Sequence, residues 1–522
     1  MEVLEKINRY RVIKKMGRIS VPPYPGRGIT REEVVSLLER LIDEIDLFFS
    51  NGQNKIKIPK TVFTGKNYND IYKELWKASK GLDAVLGVRG FNPSDSFVRS
   101  EDVLEVIKFL RKSQGQSFDV KVKARHIGKH PNHSLEEVYL LLKKINKAEK
   151  KIGMKNPVEV YKVPRRVITP TEVYDAIGTV LAELQHIKYS LGLEKDFIPH
   201  TVKVKKTPQD VIDNLQLANA LMPDFADIKN IKRIPPLVEE EKPNVFFAII
   251  GGVLENLKDY ALKKKIKVTM PEVKPLKNLK PKHIYQEGLE VLEKINNLRV
   301  SENLFPMSVP RYPMWEITPN EVHDLVGRIK GDVKIIMGDD FKEGYFNVEY
   351  QGKRPEDIYR NLWRISVALD TIVGREYFTM DEVFHESQTL FAETQIIGKY
   401  YGLDNIDEEL SEAELKSAQS FDMFKKSVDI LNIIHKIQRN AGMKNIEDIS
   451  VLEPDAAEEV EENIFDHIRF GRAELVALKL YLGLDKKIPD FDRREDSKEI
   501  DIHILLKRAE KILLNVLNKR SK

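Results

Sequence analysis

The chain has 522 residues, of which 42% are hydrophobic and 32% are charged, a composition typical of globular rather than disordered proteins. This length predicts two to four domains. The 85 basic residues nearly balance the 81 acidic residues, and Lys and Glu alternate along most segments. A nucleic-acid-binding protein normally concentrates basic residues on one face, so we expect no nucleic-acid partner.

The chain contains no cysteine, which excludes disulfides, thiolate metal sites and cysteine nucleophiles. The absence of cysteine favours an extracytoplasmic location, periplasmic or secreted. No signal-peptide pattern is visible at the start of the chain, so a cytoplasmic location stays open. The chain begins inside a unit that recurs later, which leaves open whether a leader or anchor precedes it. The most apolar run, residues 245–254, is too short to cross a bilayer, and we predict no transmembrane segment.

The first predicted helix contains the string VLEKIN at Val3–Asn8, which recurs unchanged 288 positions later at Val291–Asn296. Longer strings follow in register, since Gly65–Gly87 resembles Gly352–Gly374. A shorter trio, Lys-Ile-Asn or Lys-Ile-Gln, occurs at Lys6–Asn8, Lys144–Asn146, Lys294–Asn296 and Lys436–Gln438. Recurrence at this spacing indicates internal duplication. We interpret the asparagine of the Lys-Ile-Asn trio as an exposed or helix-end polar side chain. The alternative is a buried amide at a similar place in successive bundles.

A proline-rich loop precedes the second predicted helix and has a counterpart in the second half of the chain. The two loops are Val21–Pro25 and Val309–Pro313. Prolines stiffen an extended segment, and each loop carries a tyrosine, Tyr24 or Tyr312, outside the helical periodicity. We expect these tyrosines to contact a ligand or partner. The alternative is a linker folded over a bundle end with the tyrosine as a plug.

The next two predicted helices carry apolar residues at steps of three and four, the spacing of an amphipathic helix. The stripes are Val34, Leu37, Leu38, Leu41, Ile42, Ile45, Phe48 and Phe49, and then Ile71, Leu75, Ala78, Leu82, Val85 and Leu86. Four helices of this kind can close a bundle around one core. The alternating stretches 118–123 and 265–269 occupy junctions, as edge strands or extended linkers.

An aromatic pair lies on the third predicted helix and again on its repeat. Tyr72 and Trp76 are four residues apart, as are Tyr359 and Trp363, so each pair faces one side of its helix. Aromatic rings offer a large contact area with a polar tip, and we predict that these residues contact a ligand or partner. The alternative is that both pairs fill the core.

Three histidines cluster in the string ARHIGKHPNHS: His126, His130 and His133. Imidazoles at this density can bind zinc or copper, so we mark them as a metal candidate. Neighbouring lysines and arginine oppose a cation, and Pro131 prevents one helix from presenting His126 and His130 together. The alternative is a basic junction loop, and we predict no cofactor.

The most repeated polar pattern is a hydroxyl residue followed three positions later by Glu. It occurs at Thr30/Glu33, Thr169/Glu172, Thr318/Glu321, Thr379/Glu382, Ser134/Glu137 and Ser411/Glu414, with a relative at Thr207–Asp210. The hydroxyl can accept a bond from the backbone N–H three residues on while the carboxylate reaches back, which is a capping box. We interpret these pairs as helix starts and not as catalytic groups.

These patterns predict an all-α protein of tandem, four-helix-bundle-like repeats with short extended segments at the junctions. The predicted units form a doubled doublet: residues 1–130, 131–270, 271–408 and a diverged unit at 409–522.

The sequence contains no G-x-S-x-G, P-loop, H-E-x-x-H or dinucleotide-binding motif. We therefore expect a non-enzymatic scaffold that presents surfaces to other proteins. The alternative is a small-molecule binding or sensory protein with a pocket inside a bundle, lined by the Tyr/Trp pairs. The oligomeric state is open.

Overall fold

A computed structural model gives the structure of the chain. It describes residues 2–22, 29–49, 68–87, 91–122, 130–154, 157–160, 163–164, 166–193, 205–225, 242–270, 276–313, 315–375, 379–403, 420–444, 446, 448–449, 460–484, 486, 488, 491 and 496–520. Within these ranges the chain forms 15 α-helices and two short 3₁₀-helices, and no strand. The predicted all-α class is confirmed.

The α-helices are α1 (Glu2–Ile13), α2 (Arg31–Phe49), α3 (Tyr68–Val85), α4 (Pro93–Ser113), α5 (Pro131–Lys151), α6 (Pro170–Ser190), α7 (Pro208–Leu221), α8 (Lys242–Lys263), α9 (Pro281–Ser301), α10 (Pro319–Met337), α11 (Pro355–Val373), α12 (Met380–Tyr400), α13 (Ser420–Ala441), α14 (Val460–Tyr481) and α15 (Glu499–Arg520). The 3₁₀-helices Gly338–Asp340 and Glu343–Phe346 follow α10.

The chain divides into two compact units. Unit 1 comprises Met1–Lys14, Val21–Val35 and Lys55–Val238, and unit 2 comprises Lys15–Ser20, Ser36–Asn54 and Glu239–Lys522. In unit 1 the main core lies among α4, α5, α6 and α7. In unit 2, α8 to α11 pack together, and a larger core joins α11 to α12, α13, α14 and α15. The finer division into four sequence units stays a prediction.

Several pairs of neighbouring helices within each unit run parallel. In unit 1, the N–H of Lys206, just before α7, donates to Ser94 Oγ at the start of α4 (2.8 Å), and Arg111 near the end of α4 donates to the carbonyl of Leu221 at the end of α7 (2.9 Å). In unit 2, the starts of α12 and α15 meet through the N–H of Ser497 and Asp381 (2.7 Å).

Parallel helices require connections that return along the full helix length. Helix α5 has 21 residues and is therefore about 32 Å long. An extended chain needs about 10 residues to cover that distance. The connection from Lys151 to Pro170 is longer than this, so it can run back along the bundle to start α6 beside the start of α5. Asn132 on α5 binds the end of this returning segment, because its side chain donates to the carbonyl of Arg166 (2.7 Å).

The repeated string VLEKIN contains a buried lysine that pairs with a repeated aspartate. In unit 1, Lys6 is 0% exposed and donates to Asp83 Oδ2 at 2.8 Å. In unit 2, the matching Lys294 is 2% exposed and bonds Asp370. Asp83 and Asp370 occupy the same place in the two longer matching strings. The string is thus kept in both halves as one side of a buried ion pair.

Two asparagines of the repeated trio bind the returning chain, which corrects their interpretation as exposed or helix-end polar side chains. Asn146 donates to the carbonyl of Val158 (2.6 Å), and Asn296 exchanges two bonds of 2.8 Å with the backbone of Met307. An amide suits this position because it both donates to and accepts from a backbone. The side chain therefore fixes the extended segment onto the helix that precedes it.

The fourth trio is out of register with the others. A left-handed residue follows the end of each of these helices: Lys15, Gly153, Asn303 and Gly442. The asparagine of the first three trios lies seven residues before it, whereas Gln438 lies four residues before Gly442. His435 occupies the asparagine position instead, and its Nδ1 lies 3.2 Å from Asp448 Oδ1. Gln438 therefore corresponds to Glu149 and not to Asn146.

The predicted capping boxes at Thr30, Thr169, Thr318 and Thr379 are confirmed, as is the relative at Thr207. Ser411/Glu414 lies outside the described residues. The prediction for Ser134 and Glu137 is wrong. Pro131 starts α5 three residues earlier, so Ser134 lies inside the helix, and Glu137 instead accepts from Asn219 (3.2 Å).

Two loops of unit 2 bond across the sequence repeat. The N–H and Oγ of Ser20 donate to Asp332 (2.8 and 3.0 Å), while the same atoms of Ser308 donate to Glu44 (2.9 and 2.8 Å). Ser20 and Ser308 are 288 positions apart, and so are Glu44 and Asp332. Both acids are 0% exposed. The serine of each loop thus donates to the buried acid of the other sequence half. This reciprocal pairing follows from the duplication.

Candidate functional site

An open groove lies on unit 1 between α3, α5 and α6, and we call it the aromatic groove. Its volume is about 280 Å³. Its lining consists of Tyr72, Trp76, Tyr139, Leu142, Glu159, Glu172, Asp175, Ala176 and Thr179. The groove therefore includes the first of the two aromatic pairs that the sequence marked.

The α3 side of the groove is exposed because α3 buries little of its surface. Tyr72 is 61% exposed and Trp76 is 44% exposed. Among the residues described on α3, only Ser79 and Asp83 are buried, and Val85 of the predicted apolar stripe is 56% exposed. The Nζ of Lys80 lies 5.2 Å from the centroid of the Trp76 ring. The ring thus already faces a cation in the free chain.

The opposite wall of the groove is acidic. Glu172 and Asp175 on α6 are three residues apart and so share one helix face, and Glu159 comes from the connection before α6. Hydrogen bonding to Arg166 lowers the pKa of Glu172 to about 2, so this carboxylate is charged at neutral pH. None of the described residues that line the groove is basic. The groove therefore combines aromatic rings with negative charge.

The second aromatic pair is core. Tyr359 and Trp363 are each 1% exposed, and the Tyr359 hydroxyl donates to Asp466 Oδ1 on α14 at 2.6 Å. Helix α11 packs against both α8 and α9, whereas α3 packs against α1. The alternative interpretation, core filling, therefore describes this pair. A contact role for these two residues would require the core to open.

Of the two loop tyrosines, the structure describes one. Tyr312 is half-buried, and its ring packs edge-on against Tyr285 with centroids 5.9 Å apart. Its hydroxyl lies 3.4 Å from the carbonyl of Lys282. Burial raises its pKa well above the usual value for tyrosine. Tyr312 thus packs on the bundle as the plug alternative has it, and Tyr24 lies outside the described residues.

The histidine cluster is described in part. His130 precedes α5 as its N-cap and is exposed, while His133 lies in the first turn, and the two ring centroids are 6.0 Å apart. Within the described part of the chain, neither histidine belongs to a group of three side chains able to hold a metal ion. His126 lies outside the described residues, so the metal hypothesis stays a prediction.

Three other side chains in unit 1 do form such a group: Glu149 on α5, with Glu183 and His186 on α6. One ligand atom from each lies within 4.8 Å of the others. The sequence analysis missed this cluster, and it missed the acidic wall of the groove, because both join separate helices. The available signal was the spacing along α6, where 172, 175, 179, 183 and 186 follow one helix face.

A serine and a histidine also meet in unit 2. Ser427 Oγ lies 3.0 Å from His467 Nδ1, and both residues are buried. Burial lowers the pKa of His467 to about 3, and Ser427 Oγ donates to the carbonyl of Phe424 (2.7 Å). A serine committed to the backbone of its own helix is not an activated nucleophile. The contact is part of the helix packing.

Comparison with protein-family models, curated proteins and solved structures finds no match to this chain. Among the described helices, none combines the length and the apolar content that crossing a membrane requires.

Proposed function

We propose that the protein is a non-catalytic helical scaffold that binds a partner protein at the aromatic groove. The observation that carries this proposal is the exposure of Tyr72 and Trp76, because the same sequence pattern on α11 is fully buried. Both halves of the duplicated sequence carry this tyrosine and tryptophan. Within the described residues, only the second pair, Tyr359 and Trp363, lies in a core.

Exposed aromatic residues of this kind are typical of protein interfaces. Tryptophan and tyrosine are enriched among the residues that dominate binding energy, since each removes a large apolar area from water. An apolar area of 100 Å² contributes about 2.5 kcal/mol when it leaves water. Trp76 and Tyr72 lie one helical turn apart, which gives a partner two adjacent anchors on a rigid helix.

The charge of the groove favours a basic partner segment. Three carboxylates line it, of which Glu172 is paired with Arg166, and the Trp76 ring faces the cation of Lys80. A segment that alternates basic and apolar residues matches both features, and complementary charge speeds association and selects against acidic partners. We infer that the partner presents an amphipathic basic helix or loop.

The shape of the groove supports a protein segment over a small molecule. Pockets for small ligands are concave, mostly apolar and about 300–1,000 Å³ in volume. The aromatic groove is open and slightly smaller than this range. The alternative pocket inside a bundle has less support, because Tyr359 and Trp363, the pair expected to line it, are packed into the core of unit 2.

Two labelled synthetic peptides of equal length test the proposal, one an amphipathic Lys/Leu helix and the other its Glu/Leu counterpart. We expect fluorescence anisotropy to show saturable binding of the basic peptide only. Trp76→Ala should weaken that binding about 30-fold, the effect of losing roughly 2 kcal/mol. Tyr481→Ala is the matched control, because Tyr481 is 54% exposed but lies in unit 2.

The proposal fails if the basic peptide does not bind, or if Trp76→Ala and Tyr481→Ala bind it as the unmodified chain does. Equal binding of both peptides would show that the acidic wall of the groove does not select a basic partner.

A further inference from the structure

The cluster of Glu149, Glu183 and His186 lies near the C-terminal ends of two parallel helices in unit 1. Glu183 and His186 are three residues apart on α6 and therefore face the same side of the helix. His186 Nδ1 lies 3.7 Å from Glu183 Oε2. Glu149 reaches this position from the last turn of α5. The negative end of the α5 dipole favours a cation beside Glu149.

Glu149 is the part of the cluster that calls for a ligand. Its side chain is 0% exposed, its Oε2 accepts from the N–H of Val158 (2.6 Å), and its Oε1 has no hydrogen-bond partner. A buried carboxylate oxygen without a partner is costly. A carboxylate oxygen of Glu183 lies within 4.8 Å of a carboxylate oxygen of Glu149. Two adjacent carboxylates need a proton or a metal ion between them.

The second half of the chain carries an uncharged amide where unit 1 has the Glu149 carboxylate. Gln438 corresponds to Glu149, and Glu474 corresponds to Glu183 in the strings AELQHIKYSLGL and AELVALKLYLGL. Gln438 Nε2 donates to Glu474 Oε2 at 2.7 Å, so an amide supplies a donor between the two side chains, although Gln438 Oε1 also has no hydrogen-bond partner. His283 and Lys282 also bond Glu474 (3.0 and 2.6 Å).

The third member of the cluster is also absent from that second position. Ala477 stands where unit 1 has His186. Unit 1 thus has two carboxylates and an imidazole where the second half has an amide and a carboxylate. All three are groups that ligate metal ions when deprotonated.

We propose that Glu149, Glu183 and His186 bind one divalent transition-metal ion, with Zn²⁺ as the first probe. Mixed carboxylate and imidazole ligands suit Zn²⁺ and its first-row neighbours better than Ca²⁺, which prefers oxygen ligands alone. The side chains of Glu183 and His186 are 24% and 52% exposed, so an ion can enter from solvent and retain a water ligand. A bound ion joins the ends of α5 and α6.

The separations in the cluster fit this assignment with a small adjustment. Ligand atoms around tetrahedral Zn²⁺ lie about 3.3 Å apart, given bonds of 2.0–2.1 Å. The three atoms lie within 4.8 Å of one another, and His186, the most exposed of the three side chains, is the one with most freedom to adjust. Glu149 stays fixed by the N–H of Val158, which acts as a hydrogen-bond donor behind the ligand.

Isothermal titration of the full chain with ZnCl₂ tests the site, with CaCl₂ as the comparison ion. Glu149→Gln is the central variant, because it introduces the amide that the second half carries and should keep the fold. We expect one Zn²⁺ per chain, a loss of affinity of at least about tenfold in Glu149→Gln and His186→Ala, and a melting temperature raised by Zn²⁺ only in the unmodified chain. His323→Ala, a change to a part-exposed histidine of unit 2, is the control and should leave Zn²⁺ binding unchanged.

Far-UV circular dichroism of each variant shows whether the helices are intact. The proposal is overturned if the unmodified chain binds no Zn²⁺, or if Glu149→Gln binds it with the same affinity and stoichiometry. A third result would also overturn the proposal: the unmodified chain shows no affinity for Zn²⁺, and Glu149→Gln is more stable than the unmodified chain. The two carboxylates would then share only a proton.

Discussion

The two aromatic pairs, Tyr72/Trp76 on α3 and Tyr359/Trp363 on α11, occupy equivalent places in a duplicated sequence and opposite environments in the structure. The first pair is 61% and 44% exposed, and each member of the second is 1% exposed. Both helices hold a buried aspartate that pairs with the lysine of VLEKIN, so their local packing on α1 and α9 is alike. The difference arises on the other face, where α11 also packs against α8.

This comparison teaches that a repeated string reports shared ancestry of a helix and not a shared environment. Lys6 and Lys294 kept the same role, because a buried charge without its partner is strongly destabilising. Trp76 and Trp363 did not, because what covers a ring depends on distant elements. After duplication, an aromatic residue that is exposed is therefore a better candidate for binding a partner than one that fills a core.

The largest expected difference between the pairs is in stability. Trp363→Ala should lower the free energy of unfolding of unit 2 by about 3–5 kcal/mol, because it leaves a cavity in the core. Trp76→Ala should change stability by less than about 0.5 kcal/mol, as surface substitutions usually do. Urea unfolding followed by far-UV circular dichroism measures both. Equal destabilisation by the two variants would contradict the assigned burial.

A smaller difference between the pairs concerns the pH dependence of stability. The Tyr359 hydroxyl donates to the buried carboxylate of Asp466, whereas Tyr72 lies at the surface. Burial raises the pKa of Asp466 to about 7, with the charge of Glu287 adding to the effect and Tyr359 and Arg469 opposing it. A raised pKa means that the folded chain holds a proton which the unfolded chain has released. The resulting stabilisation is complete below about pH 4 and is lost as the pH rises towards 7.

Asp466→Asn removes this titration while keeping an oxygen that accepts from Tyr359. We therefore expect the stability of the unmodified chain relative to Asp466→Asn to fall between about pH 4 and pH 7, by at most about 1.4 kcal/mol per pH unit. Chemical unfolding at several pH values measures the difference. A stability difference that does not change with pH, or that grows as the pH rises, would contradict the direction of the pKa shift.

Local features of the fold were predictable from sequence. The pair Thr169 and Glu172 predicted the start of α6, because a capping box is a contact between residues three positions apart. The same pattern failed at Ser134 and Glu137, where Pro131 began the helix earlier. The role of Asn146 was missed because its partner, Val158, lies in the returning chain and carries no pattern of its own.

The aromatic groove and the metal cluster were only half predictable. Tyr72 and Trp76 stood out as a pair on one helix face, but the acids opposite them come from α6 and from the connection before it. Glu149 and Glu183 approach each other because α5 and α6 run parallel, and helix periodicity does not encode helix direction. The exchange between Ser20 and Asp332 joins residues 312 positions apart, which no local pattern contains.

The most direct test of the proposed binding surface is acrylamide quenching of Trp76 and Trp363, each measured as the single tryptophan with the other two replaced by phenylalanine. We predict that acrylamide quenches Trp76 strongly and Trp363 weakly in the free chain. Saturating basic Lys/Leu peptide should then protect Trp76 from acrylamide and leave Trp363 unchanged. Equal quenching of the two tryptophans, or no protection of Trp76 by the peptide, would contradict the assignment of α3 as the binding face.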